Sequence, residues 1–238
     1  MKGRRLQLLD GFQLVCDDEP VPLPGSAQRL MAFLALHPHP LRRVHVAGTL
    51  WLDSPEERGF ANLRSTLWRL HQTGAGLVEA DGGRLGLDPA LRVDYREAVC
   101  LSRAMIEGPG AGLDWQPLVG ELLPDWDDDW VIVEREHHRH LSLRALEGLS
   151  ERLLAAGALP QALEIALAVF AREPLRETAN RLLIKVHVAE GNSFEAIRQY
   201  RLYERLAMAR IGLAPSSQMD ELVRDLLPSQ VCAPGAAA

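Results

Sequence analysis

The chain opens with short apolar runs that are separated by turn-forming residues. Over the first 24 residues the runs LQLLD, FQLVC and VPLP alternate with glycine, aspartate and proline. Apolar runs of four or five residues between turn formers are typical of short antiparallel strands. The pattern therefore predicts a small sheet at the start of the chain.

Two helices are predicted after this sheet. Ser26 is placed to cap the first helix, which ends before the HPHP stretch because proline disfavours helical geometry at and before its own position. The apolar positions of this helix are Leu30, Phe33, Leu34 and Leu36. A second, shorter helix is predicted over residues 46–51, and residues 53–55 interrupt the chain again.

A third helix is predicted to begin at the sequence SPEE. Ser54 would cap it, Pro55 would occupy the first helical position and Glu57 would complete a capping box. Its apolar residues recur at intervals of 3, 4 and 3 and share one face at about 100° per residue; they are Phe60, Leu63, Leu67 and Leu70. The opposite face is polar, and residues 58–71 hold three arginines and no acid.

A hairpin is predicted immediately after the third helix. The segment LVEADGGRLGLDP contains two short extended runs on either side of Asp81, Gly82 and Gly83, which together favour a tight turn. A short sheet, three helices and a hairpin follow one another in the order of a winged helix. In that fold the third helix enters the DNA major groove and the hairpin wing lies along the backbone.

The polar face of the third helix supplies the candidate DNA-contacting residues. We expect the face to meet DNA because the helix follows two helices and precedes a Gly-Gly hairpin, as the third helix of a winged helix does. Arginine can bind guanine through two hydrogen bonds, and asparagine suits adenine. The candidates are Arg58, Asn62, Arg64, Ser65, Trp68 and Arg69, with Arg84 added from the wing. The alternatives are a purely solvated helix face, packing of Trp68 against the first helix or the hairpin, and a free charge at Arg84.

The rest of the chain is predicted to be helical. The expected helices cover residues 94–107, 127–156, 160–172, 175–190, 193–209 and 216–227. AAGALPQAL and AEGNSFEAI echo each other at an offset of 34 residues, the period of tetratricopeptide (TPR)-like helical hairpins. The predicted fold class is mainly α with a small amount of β. It comprises a winged helix over 1–95, an all-α TPR-like domain over 96–227 and a disordered tail over 228–238.

Charge, cysteine content and apolar runs indicate the cellular compartment in which the protein works. Residues 1–97 carry 12 Lys/Arg against 12 Asp/Glu, whereas residues 98–238 carry 14 against 20, so the whole net charge of −6 lies in the second part. The three cysteines form no close pair, which favours a reducing cytoplasm over a disulfide framework. No apolar run reaches the roughly 18 residues of a membrane span, and the opening residues lack a signal-peptide core. We expect a cytoplasmic protein that makes no contact with membranes.

The sequence gives little support for a catalytic or metal-binding function. The chain lacks a nucleophile elbow and a phosphate-binding loop, so we expect neither an enzyme nor a cofactor. The acidic run at 125–130 is interpreted as a solvated helix start, since acids there complement the helix dipole, with its two tryptophans anchoring the helical domain. The histidines near residue 138 lack the order of a zinc helix; they are His137, His138 and His140.

The chain resembles the antibiotic regulatory protein (SARP) class of bacterial transcription activators. The segments that carry the resemblance are VPLPGSAQRLMAFLALH, ANLRSTLWRL, ELLPDWDDDWVIVERE and REPLRETANRLLIKVHVAEGNSFEAIRQYRLYERLAMARIGLAPS. The resemblance implies an OmpR-type winged helix joined to a bacterial transcriptional activator domain of TPR-like helices.

The resemblance also implies a function and its partners. Such a protein would bind double-stranded DNA at promoter-proximal direct repeats as a side-by-side homodimer, recruit RNA polymerase and be associated with the nucleoid. The competing hypothesis is a protein-interaction adaptor, in which the TPR-like helices bind a peptide and the winged helix no longer binds DNA.

Overall fold

The computed structural model describes residues 3–108 and 112–226, and the chain packs as two compact units. The first unit comprises Met1–Leu101 with Gln116–Ser142, and the second comprises Ser102–Trp115 with Leu143–Ala238. Packing therefore assigns residues 116–142 to the first unit, while the division into 1–95 and 96–227 stays a prediction from the sequence pattern. The predicted tail, 228–238, lies outside the described residues.

The elements from the start of the chain to the long helix follow the predicted order. They are β1 (Arg4–Gln7), β2 (Gln13–Cys16), β3 (Glu19–Pro20), α1 (Gly25–Leu36), β4 (Leu41–Arg42), α2 (Arg43–Leu50), α3 (Glu56–Gln72), β5 (Val78–Asp81), β6 (Arg84–Leu87), β7 (Arg92–Val93), α4 (Asp94–Glu107), a 3-10 turn (Gln116–Val119) and α5 (Asp129–Ala155). A short sheet, three helices and a hairpin thus appear in sequence, as the apolar pattern predicts.

The first sheet has the strand order β3-β2-β1-β7. β1 pairs antiparallel with β2 and parallel with β7. The expected strand over VPLP is wrong, because β3 ends at Pro20 and the residues after it include Pro22 and Pro24, which have no backbone N–H to donate. Val21 still donates its N–H to the carbonyl of Leu14 at 2.8 Å, and this bond ends the pairing.

The predicted helix caps are also wrong. α1 begins at Gly25 with Pro24 at the N-cap position, so Ser26 lies inside the first turn and caps nothing. α3 begins at Glu56, because Pro55 has an extended ψ of 147° and itself occupies the N-cap position. The N–H of Ser54 donates instead to the carbonyl of Trp51 at 3.0 Å, and the capping box does not form.

The hairpin forms as predicted and belongs to a second sheet of order β4-β6-β5. Asp81 pairs with Arg84 across the turn, and both central residues, Gly82 and Gly83, have positive φ angles of 52° and 82°. Two successive positive φ values match the turn that suits the twist of a hairpin, and glycine adopts them without steric cost. This three-stranded sheet is the wing of the first unit.

The acidic run before α5 has a structural role that differs from the prediction. Trp130 packs edge-on against Phe33 of α1 at 5.2 Å between ring centroids, and Trp126 stacks against Phe12 at 6.0 Å. Both tryptophans therefore pack within the first unit, and their expected role as anchors of the helical domain is wrong. Within the run, Asp128 accepts a hydrogen bond from Arg29 at 2.5 Å, so the run is only partly solvated.

The second unit consists of helical hairpins, as the internal repeat predicts. Its further helices are α6 (Leu159–Arg172), α7 (Glu177–Ala189), α8 (Ser193–Ile211) and α9 (Ser217–Val223). The echoed residues have equivalent conformations: Gly157 and Gly191 have φ angles of 76° and 75°, and Ala162 and Ala196 are fully buried. The two glycines end one helix each in the left-handed conformation, and the alanines allow the next helix to pack closely.

The carboxylate of Asp94 joins the first sheet to α4. It accepts hydrogen bonds from the backbone N–H groups of Leu8 at 2.8 Å, Leu9 at 3.1 Å and Tyr95 at 2.6 Å. Burial raises the pKa of Asp94, and the three hydrogen bonds act in the opposite direction. One carboxylate thus accepts hydrogen bonds from the backbone N–H groups just after β1 and in the first turn of α4.

We predict that Asp94→Ala lowers the free energy of unfolding by about 1–3 kcal/mol, because it leaves half-buried N–H donors without an acceptor. Urea denaturation measures the change. Asp53→Ala, at an exposed aspartate, is the matched control and should be close to neutral. Equal stabilities of the two variants would contradict the role of Asp94.

Candidate nucleic-acid interface

The buried face of α3 fixes the direction in which its polar residues point. Leu63 and Leu70 are almost fully buried, as is the hydroxyl-bearing Thr66 between them. Near the start of the helix, Gly59 is also buried, and a Cβ at this position would lie 3.7 Å from the carbonyl oxygen of Ala47 in α2. This is an ordinary van der Waals distance, so alanine would also fit at this position. The orientation of α3 is set by the burial of Leu63, Thr66 and Leu70.

The predicted DNA-contacting residues lie on the outward side of α3. Arg58, Arg64, Ser65 and Arg69 are exposed, and Asn62 is half-buried. Within residues 3–108 and 112–226, no ion pair or side-chain hydrogen bond is found for the three arginines of this set. Arg29 and Arg4, by contrast, are held by Asp128 and Asp88. The guanidinium groups of α3 therefore keep all their donors for a ligand.

Trp68 is 62% exposed, which decides between the alternatives for its packing. A tryptophan packed against α1 or against the wing would be largely buried, because its large ring loses water on both faces. The indole instead lies on the same surface as Arg64 and Arg69. We call the outward side of α3, defined by Arg58, Asn62, Arg64, Ser65, Trp68 and Arg69, the arginine face.

Arg84 lies on the wing and is partly restrained. Its side chain is exposed, yet its Nη1 donates to the carbonyl of Pro40 at 3.0 Å. It is therefore not a free charge. Arg42 of β4 pairs with Arg84 in the sheet register, so two exposed guanidinium groups sit side by side on the wing.

Sequence reasoning missed Arg42 as a candidate. β4 is only two residues long and directly follows the HPHP stretch, so no alternation of apolar and polar residues marks it as a strand. The sequence feature that could have pointed to Arg42 is the basic pair Arg42-Arg43. These two residues come close to the wing only in the folded chain. The N–H of Arg43 donates to the carbonyl of Gly83 at 3.1 Å, which ties the start of α2 to the turn of the wing.

The histidine-rich stretch of α5 forms no metal centre. Within the described parts of the chain, no group of three or more His, Cys, Asp or Glu side chains is arranged to hold a metal ion. His138 is buried, with its ring 5.5 Å from that of Tyr95 and 3.4 Å from the hydroxyl of Ser142. His137 and His140 face solvent and lie beside Glu134 and Glu136.

None of the helices in the described ranges combines the length and the apolarity that crossing a membrane requires.

Comparison with known proteins assigns a family to the second part of the chain. Residues 114–227 match the family model of the bacterial transcriptional activator domain. The fold is similar to the solved structure of Mycobacterium tuberculosis EmbR in complex with a low affinity phosphopeptide, with a TM-score of 0.75 and 19% identity. The similarity covers 95% of this chain, which spans 65% of the EmbR chain. A search of curated proteins gave no match.

The chain therefore has the fold of a winged helix followed by helical hairpins, and its second part resembles a bacterial transcriptional activator domain. The predicted fold class, mainly α with a small β content, is confirmed.

We predict that the double variant Arg64→Ala/Arg69→Ala unfolds at the wild-type temperature, with a change below about 0.5 kcal/mol, because neither side chain has a partner in the fold. Differential scanning calorimetry measures this directly. A clear loss of stability would mean that these arginines hold the fold together rather than facing a ligand.

Proposed function

We propose that this protein is a sequence-specific DNA-binding transcriptional activator that binds promoter-proximal direct repeats and recruits RNA polymerase. The observation that carries the proposal is the arginine face, on which three exposed guanidinium groups without partners surround an exposed indole. A helix-length surface with cationic donors and no acid beyond the first turn suits the phosphate-lined major groove.

The wing and the first turn of α3 contact phosphates, and the rest of α3 contacts bases. Arg84 and Arg42 on the wing, with Arg58 near the first turn of α3, serve as phosphate contacts that set register and supply affinity. Arg64 and Arg69, further along the helix, reach base edges, where arginine pairs with guanine. Asn62 and Ser65 lie beside them and add hydrogen-bonding capacity. Trp68 covers the sugar and base surface next to these contacts.

A modest affinity of one copy for DNA is consistent with binding as a dimer to repeated DNA sites. The first 97 residues carry equal numbers of basic and acidic side chains, so a single winged helix lacks a strong long-range attraction to DNA. Two linked copies on a direct repeat bind with a raised effective concentration and so gain affinity without new contacts. The bacterial transcriptional activator domain then contacts polymerase or the neighbouring subunit, and the protein works at the nucleoid in the cytoplasm.

The proposal predicts that Arg64→Ala/Arg69→Ala weakens binding to the preferred DNA by about 10- to 10⁴-fold, since each good arginine–base pairing contributes about 1–3 kcal/mol of discrimination. Gel shifts on genomic fragments selected by the purified wild-type protein measure the change. Arg103→Ala/Arg210→Ala removes two exposed arginines from other helices and is the matched control, which should bind like the wild type. An unchanged shift for the α3 variant would remove this helix from the binding role.

Salt dependence separates the activator from the adaptor hypothesis. The logarithm of the DNA-binding constant should fall linearly with the logarithm of salt, and Arg84→Ala should reduce the slope by about 0.9 by removing one phosphate contact. Fluorescence anisotropy with labelled duplex gives both slopes. A protein-interaction adaptor would show no retention of DNA even at low salt, and that result would favour the competing hypothesis.

A further inference from the structure

The outward face of α8 combines apolar and basic side chains. At about 100° per residue, Phe194, Ile197, Arg198, Arg201 and Arg205 share one side of the helix. The opposite side is buried in the second unit and includes Ala196, Tyr203 and Ala207. Phe194 is 74% exposed. We call the outward set the basic face of α8; these residues line, together with Glu204, a shallow depression of about 500 Å³.

The charges on this face are largely uncompensated. Within the described residues no ion pair or side-chain hydrogen bond is found for Arg201 or Arg205, and Arg198 has only the half-buried Glu195 at 3.4 Å. The second unit, to which α8 belongs, carries 12 Lys/Arg against 13 Asp/Glu, whereas residues 116–142 of the first unit carry 2 against 7. Clustered arginines beside an exposed phenylalanine therefore fit a partner that is both acidic and apolar.

Another surface of the same chain carries negative charge. Asp125, Asp127 and Asp129 are exposed and have no partner among the described residues, unlike Asp128 between them. They are followed on α5 by Ile132 and Val133, which are 47% and 68% exposed. We call residues 125–133 the acidic segment. Its acidic part precedes its apolar part along the chain.

We propose that the basic face of α8 in one copy of the protein docks onto the acidic segment of a second copy. Along α8 the apolar residues come first and the arginines Arg201 and Arg205 follow, whereas in the acidic segment the acids come first. An antiparallel approach therefore places Phe194 against Val133 and the arginines against the aspartates. Apolar contact supplies the attraction, and the charge order sets the direction of docking.

An interface between two different surfaces has consequences for assembly. Each copy presents one basic face and one acidic segment, so the association is head-to-tail rather than two-fold symmetric. A direct repeat likewise lacks the two-fold symmetry of a palindromic site, so a head-to-tail association is compatible with it. The inference deepens the proposed homodimer by naming its surfaces. Its test uses protein without DNA, so its failure leaves the DNA-binding proposal standing.

The test compares two charge-reversed variants, Arg201→Glu/Arg205→Glu and Asp127→Lys/Asp129→Lys, alone and mixed. At low salt and up to about 1 mM protein, the range in which weak complexes populate, the mass of the wild type from sedimentation equilibrium should rise above that of a monomer. Each variant alone should stay monomeric. The equimolar mixture should associate again, because each surface of one variant meets a surface of opposite charge on the other.

The matched control is Arg103→Glu/Arg210→Glu, which makes the same change in net charge away from the basic face and should associate like the wild type. A wild type that stays monomeric would overturn the proposal, as would a variant that associates normally or a mixture that stays monomeric. If Arg201→Glu/Arg205→Glu weakens DNA binding while the wild type alone is monomeric, the basic face binds DNA instead, and the proposal of a protein interface is wrong.

Discussion

The burial of one side of α3 is the constraint on which the rest of the account depends. Leu63, Thr66 and Leu70 are almost completely removed from water, and burying each leucine contributes about 1.5–3 kcal/mol. The helix cannot rotate without exposing these side chains, so the arginine face must point outward. Arg64 and Arg69 need no partner in the fold to hold this direction, and they remain available for a ligand.

Much of the fold could be predicted because its signals are local. The spacing of apolar residues in α3, the Gly82-Gly83 turn of the wing and the 34-residue echo each depend on a few neighbouring residues, and the structure contains all three features. The order of these elements was sufficient to favour a winged helix followed by helical hairpins.

Some of the errors concern contacts between residues far apart in sequence, and others concern the local geometry of helix starts. Trp126 and Trp130 lie on a helical pattern that gives no sign of their packing partners Phe12 and Phe33, which precede them by about a hundred residues. Arg42 became a candidate only when β4 paired with β6. The caps at Ser26 and Ser54 failed because proline with an extended ψ occupies the N-cap position, so α1 starts two residues earlier and α3 one residue later than predicted. The side-chain contacts of the candidate site with DNA remain predictions.

The two units carry different candidate surfaces. The first presents the arginine face, the glycine-turned wing and the acidic segment, and the second carries the basic face of α8. Under the proposed function, weak attraction of a single copy to DNA and a directional contact between copies complement each other. Together they favour repeated sites over isolated ones.

Hydroxyl-radical footprinting of the Trp68 side chain, read by mass spectrometry with and without saturating upstream DNA, tests the central claim most directly. The account predicts strong oxidation of the exposed indole in the free protein and protection in the complex, with little change at the buried side chain of Met105. Equal oxidation of Trp68 in both samples, at a DNA concentration that saturates binding, would show that the arginine face does not meet DNA.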